Sequence, residues 1–147
     1  MAILGFTFSK LTAEKDREAS IKEASQNIQV RYNIIIKNIA EEELKFQERQ
    51  KVLRLDFEFS ILYQPKIGTV ELFGNLLYAD SNMKKILDSW KKEKDITDNN
   101  LKAQIINAIF QKANLKAITL IQEVNLPLQF PLPKLIPPEQ NPQNYIG

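Results

Sequence analysis

The stretch from Leu53 to Tyr63 constrains the fold more than any other part of the chain. Leu53, Leu55, Phe57, Phe59, Ile61 and Tyr63 fall on one side of an alternating pattern, and Arg54, Asp56, Glu58 and Ser60 fall on the other. Six matches to a period of two define a strand with one face in a core and one face near water. A strand of that kind needs strand neighbours and something apolar to cover its inner face.

The neighbours are legible on both sides. Leu4, Phe6 and Phe8 alternate with Gly5, Thr7 and Ser9, and the pattern slips by one at Leu11, as at a bulge or a strand end. Asp16 to Gln26 is polar and reads as a connection. Ile28, Val30, Tyr32, Ile34 and Ile36 then face one way, opposite Gln29, Arg31, Asn33 and Lys37. Ile39 to Gln50 is ambiguous: Ala40-Glu41-Glu42-Glu43 favours a helical turn, and Leu44 and Phe46 suit a crossing segment. Gln64-Pro65-Lys66-Ile67-Gly68 is a turn into a fourth strand carrying Val70, Leu72, Leu76 and Tyr78. Gly74 interrupts that face, as a bulge or a close backbone approach would.

After Tyr78 the period changes. Asp80 or Ser81 can cap a helix with Met83, Ile86, Leu87 and Trp90 on one side. Thr97 and Asp98 can cap a longer helix reaching about Val124. Leu101, Ile105, Ala108 and Ile109 form one of its apolar stripes, and Ile106, Phe110, Ala113, Ala117, Leu120 and Val124 form another. One stripe is expected to cover the sheet; the second, through Ile106, Phe110, Ala113 and Ala117, is expected to meet another subunit. Leu126 to Pro138 is too rich in proline for a helix, yet Leu128, Phe130, Leu132 and Leu135 are apolar, as in an extended strap. The expected architecture is α+β: a four-stranded antiparallel sheet followed by two helices packed on one face. Residues 1–138 form the single domain, and 139–147 form a frayed tail.

Composition then removes classes of chemistry. With 147 residues the chain suits one domain, and it contains neither cysteine nor histidine. Disulfides, thiolate nucleophiles, Cys or His metal ligands and the usual general base near neutral pH are therefore excluded. Only four glycines are present, none close enough together to cradle a phosphate. Asp56 and Glu58 point the same way and could couple as an acid–base pair, but beside Arg54 they match a solvated sheet face. Glu41, Glu42 and Glu43 lack the spaced oxygen ligands of a cation loop. No enzyme activity, cofactor or metal is expected. The net charge is only +2, and the basic run of Lys84, Lys85, Lys91, Lys92 and Lys94 reads as a solvated helix face. Nucleic-acid binding through that run is the weaker reading. The N-terminus has no basic leader, and no stretch approaches the ~20 apolar residues that cross a bilayer, so a cytoplasmic protein without membrane insertion is expected.

The surplus apolar residues are more informative. Ile35, Leu62, Phe73 and Leu77 fall on the nominally polar sides of their strands, Ile39, Leu44 and Phe46 fall in a connection, and Phe130 falls in the strap. They either pack beneath other parts of the protein or line a groove for extended apolar peptide segments.

The whole order resembles the SecB export-chaperone fold: four strands, a Pro-Gly hairpin, a short helix, a long apolar helix and a proline-rich apolar tail. Asn125-Leu-Pro-Leu-Gln-Phe-Pro-Leu-Pro-Lys-Leu135 looks like the strap after that family's long helix, and Gly5-Phe-Thr-Phe is similar to SecB-like proteins of archaea. The resemblance covers about residues 2–138. It implies a homo-oligomer, a dimer or tetramer paired through edge strands and helices, that binds unfolded polypeptides in apolar grooves without ATP. On that basis Ile35, Ile39, Leu44, Phe46, Leu128 and Phe130 are the expected client-binding residues. Family members are acidic and present carboxylates to an export ATPase, and this nearly neutral chain offers only Asp56 and Glu58. The expected function is thus an ATP-independent holdase, with an adaptor or dedicated chaperone for a single protein partner as the alternative.

Overall fold

The computed structural model describes residues 3–16, 28–45, 49–64 and 67–127. Four strands, β1 (Ile3–Lys15), β2 (Gln29–Lys45), β3 (Arg49–Gln64) and β4 (Gly68–Tyr78), precede two helices, α1 (Met83–Glu93) and α2 (Asn99–Glu123). The strands form one antiparallel sheet in the order β1-β4-β3-β2. The α+β class expected from the periodicity is the one observed. The alternating strand Leu53–Tyr63 lies in the middle of the sheet, where its inner side chains are fully or almost fully buried.

Both helices pack on the face that carries those residues. Ile86 and Trp90 of α1 and Leu101, Ile105 and Ile109 of α2 join Leu53, Leu55 and Phe57 in one part of the core. Phe110, Ala113, Ala117 and Ile121 continue over Phe59, Ile61 and Tyr63 in the other. The long helix therefore follows the direction of β3 from end to end. After Glu123 the chain turns through Asn125, whose φ of 57° is left-handed. The Leu126 N–H then bonds the Ile121 carbonyl at 3.0 Å, a Schellman closure that satisfies an orphan carbonyl and drops Leu126 into the core. Gly68 lies beneath it, where a Cβ would stand 2.7 Å from Leu126 Cδ2 and 2.5 Å from the Glu14 carbonyl oxygen.

One open alternative is resolved and two local expectations are corrected. The slip near Leu11 is a bulge at Ser9, since Phe8 pairs with Gly74 and Lys10 with Phe73, and β1 continues to Lys15. Ile39–Lys45 is not a connection with a helical turn. It is the second half of β2, paired residue by residue with β3 after a bulge at Lys37. A four-residue helix has almost no hydrogen bonds to offset its nucleation, whereas the ladder is already running. The three glutamates find cations on β3: Glu41 with Lys51 at 3.5 Å, Glu42 with Arg54 at 2.7 Å and Glu43 with Arg49 at 3.7 Å. The second correction concerns the cap of α1. Neither Asp80 nor Ser81 is the N-cap; Asn82 is, and Asp80 accepts its N–H at 2.7 Å.

Asp98 caps α2 as expected. Its Oδ1 accepts the N–H groups of Asn100 at 3.0 Å and Leu101 at 3.2 Å, and Lys85 Nζ donates to its Oδ2 at 2.6 Å. The Lys85 hydrogen bond, with the Leu101 N–H behind it, holds this carboxyl below its ordinary value. A depressed carboxylate stabilises the fold above its unfolded pKa, and that contribution is lost as pH falls through the folded value. Asp98→Ala is expected to lose about 1 kcal/mol at neutral pH. The gap to the wild-type protein should shrink in urea titrations as pH falls below the ordinary carboxylate range, and a gap that stays constant would remove the ionised cap from the account.

Candidate functional site: apolar shelves on the edge strands

An α-helix with its side chains is about 10–12 Å across, and strands lie ~4.8 Å apart, so one helix blankets roughly two strands. The burial pattern follows from that mismatch. On the helix side, Leu55, Phe59, Ile61, Val70, Leu72 and Leu76 of the two central strands are fully buried. The matching residues on the edge strands are not. Val30, Tyr32, Ile34 and Ile36 of β2, with Ile28 just before it, are half-buried, as are Ile3, Phe6 and Phe8 of β1. Leu11 of β1, which pairs with the inner residue Leu72, is 40 % exposed. An apolar shelf therefore runs along each side of α2.

The two shelves differ in the backbone beside them. The free edge of β1 is broken twice, by register shifts between Ile3 and Gly5 and between Phe8 and Lys10. The free edge of β2 is unbroken from Gln29 to Ile36, until the bulge at Lys37. That run is about 27 Å of N–H and C=O groups with no strand partner among the described residues. The wall opposite it is built by α2. Phe110 lies 5.8 Å from the Tyr32 ring and 6.0 Å from Phe59, and Tyr32 lies 6.3 Å from Phe59. Leu120 and Val124, half-buried near the end of α2, pack against the same part of the core. None of these residues is charged. Burial, with the Tyr32 phenol as a lesser cause, pushes Tyr63 at the base of the shelf up to about 12, and burial also raises Tyr32. Both hydroxyls are thus neutral hydrogen-bonding groups at any physiological pH.

The expected client-binding residues do not form one surface. Ile35 is on the helix-free face, 42 % exposed and paired opposite Glu58. Ile39 pairs with Leu55 and is buried in the core, because the extra residue at Lys37 shifts the alternation. Leu44 is half-buried near the tip of the β2–β3 hairpin. Phe46, Leu128 and Phe130 lie outside the described residues, as do the strap and the tail beyond Pro127. The expected oligomer contacts divide as well. Phe110, Ala113 and Ala117 are buried within the subunit and Ile106 is half-buried. The second stripe covers the other half of the same sheet, because the buried ridge advances around α2 as the helix crosses the strands. The large apolar side chain of α2 that stands open is Leu115, 67 % exposed, which sequence spacing placed on neither stripe.

Asp56 and Glu58 are both engaged on the helix-free face, Asp56 against Arg54 at 3.2 Å and Glu58 against Lys37 at 2.8 Å. Among the described residues no group of three or more acidic, His or Cys side chains could hold a metal ion, and no helix is long and apolar enough to cross a membrane.

Sheet and shelf together define an α+β domain in which, among the described residues, the edge strands leave apolar surface and unpaired backbone side by side. Against known proteins, the Mycobacterium tuberculosis SecB-like chaperone Rv1957, solved with a ChAD peptide from the Rv1956 HigA1 antitoxin, is similar over 89 % of this chain and 92 % of its own. The two share 15 % identity at a TM-score of 0.44. A likeness of that size assigns no residue and no ligand to this chain. No protein-family model matches the sequence, and no curated protein matches it as a relative.

Proposed function

We propose that this protein is an ATP-independent holdase that binds extended, non-native polypeptide along the β2 shelf. The observation that carries the reading is the unbroken ladder edge from Gln29 to Ile36 beside the half-buried row Val30, Tyr32, Ile34 and Ile36. An open edge of backbone groups asks for another backbone, and an extended segment with apolar side chains at every second position satisfies edge and shelf together. Burial of those side chains contributes roughly 25 cal/mol per Å² of apolar area, spread over several contacts, which suits clients of varied sequence. The protein works by binding and has no catalytic centre in this reading. Self-association would use the open, uncharged side of α2 formed by Gln104, Ala108, Gln111, Leu115, Ile118 and Gln122.

The test is light scattering of a reduced, unfolded client that aggregates by itself, with and without this protein and without nucleotide. The wild-type protein should hold the client soluble near equimolar ratio. Ile34→Lys, which puts a charge on the shelf at a site that is not fully buried, should raise the ratio needed about tenfold while leaving the circular dichroism unchanged. Equal protection by the two proteins would move binding off this shelf. Failure of both on unrelated clients, with capture of one folded or partly folded partner, would favour the dedicated adaptor.

A further inference from the structure

Asn114 is the single buried polar or charged residue among the described residues, 9 % exposed, and its Oδ1 is shut off from solvent without a hydrogen-bond partner. Such a group weakens the free protein, because it gives up its bonds to water and receives none in return. A helical asparagine usually satisfies itself by bonding a carbonyl one turn back or by turning outward; the Oδ1 of Asn114 stays buried and unpaired. Its place on α2 is one turn beyond Phe110, on the ridge Phe110–Asn114–Ile118. Phe110 meets Tyr32 of β2 at 5.8 Å between ring centroids, so this ridge of α2 is the one on the β2 side. Asn114 thus follows Phe110 along the flank of α2 that faces the β2 shelf, and its Oδ1 finds no hydrogen-bond partner there.

We infer that Asn114 reads the backbone of a polypeptide docked on this shelf, an inference that rests on the binding reading above. A carboxamide carries one acceptor and two donors in a plane, the same complement as a peptide group. An N–H of the docked segment donates to Oδ1, and Nδ2 donates to a nearby carbonyl of that segment. The terminal torsion of asparagine is soft, so the amide swings toward the incoming chain without moving the helix. Because the contact is to backbone, it adds affinity without restricting client sequence, and it is made only when a client is present.

The experiment uses fluorescence anisotropy of a fluorescein-labelled nine-residue peptide alternating leucine and serine, together with thermal unfolding of the free protein. Asn114→Leu is expected to bind this peptide about tenfold more weakly than the wild-type protein. It is also expected to unfold a few degrees higher, since a buried, unpaired carboxamide oxygen has been replaced by an apolar group of similar shape. Binding and stability moving in opposite directions is a signature that a purely structural asparagine cannot produce. A lower unfolding midpoint would make Asn114 structural and overturn the inference, as would unchanged affinity. If Ile34→Lys abolishes binding while Asn114→Leu leaves it intact, only the backbone-reading role fails. If the wild-type protein does not bind the peptide, the shelf reading fails and takes this role with it.

Discussion

Phe59→Ala is expected to destabilise the protein by about 4 kcal/mol, a fall of roughly 12 °C in the unfolding midpoint for a domain of this length. Phe59 is fully buried on β3 and touches both walls of the β2 shelf, with Tyr32 at 6.3 Å on one side and Phe110 at 6.0 Å on the other. Its removal leaves a cavity under a helix pinned along its whole length by Ile105, Ile109, Ala113 and Ala117, so the site cannot easily collapse. Guanidinium titration would measure the loss. A value below about 2 kcal/mol would mean that α2 is free to settle onto the sheet, and that the shelf is less rigid than its geometry indicates. The same substitution removes the floor beneath Tyr32, so client protection should fall even where the variant is still folded.

Gly74→Ala is the second large effect, and its cause is the opposite one. Gly74 sits on the inner face of β4 between Phe8 of β1 and Phe57 of β3. A Cβ there would stand 2.3 Å from the Thr7 carbonyl oxygen, 2.9 Å from Phe57 Cζ and 3.1 Å from Phe8 Cα. The phenylalanine ring could give way, but two of the three contacts are backbone atoms of β1. They move only if the β1–β4 ladder opens next to its bulge at Ser9. The expected cost is about 3 kcal/mol by urea titration, the upper end of overpacking effects. It should come with loss of the tilted and edge-on ring cluster of Phe6, Phe8 and Phe57, visible as altered aromatic circular dichroism. A loss under about 1 kcal/mol would place β1 farther from β4 than described.

Much of this architecture is readable in one dimension, because period and burial are linked locally. Leu53 to Tyr63 alternates since a central strand has one covered face, and the change to i, i+3, i+4 spacing at Met83 marks the helices with equal clarity. The cap at Asp98 was equally legible, since its side chain acts within three residues. The interruption at Gly74 pointed to either a bulge or a close backbone approach, and the contacts with Thr7 and Phe8 of β1 decide for the second.

The site was far less legible. Ile35 and Ile39 look equivalent in the sequence, yet one is exposed on the helix-free face and the other is buried against Leu55. The single extra residue at Lys37 separates them, and a bulge leaves no compositional mark. The glutamates at 41–43 carry helix propensity that the pairing with Lys51, Arg54 and Arg49 overrides, and those partners are known only once the hairpin closes. Phe110, Ala113 and Ala117 suggested a second subunit because a helix apolar on two sides needs two neighbours; a helix crossing a twisted sheet finds both within one subunit. Asn114 had no signal at all, since an asparagine in a helix is ordinary until its burial and its lack of a partner are seen together. What the sequence by itself determined is the class of the elements outside Ile39–Lys45 and the faces that β3, β4 and α1 bury, since these depend on residues a turn or two apart. The strand order, the shift at Lys37 and the uncovered shelf on β2 were decided by tertiary structure, because each depends on which strands end up at the edges and how much of a four-stranded sheet one long helix can cover.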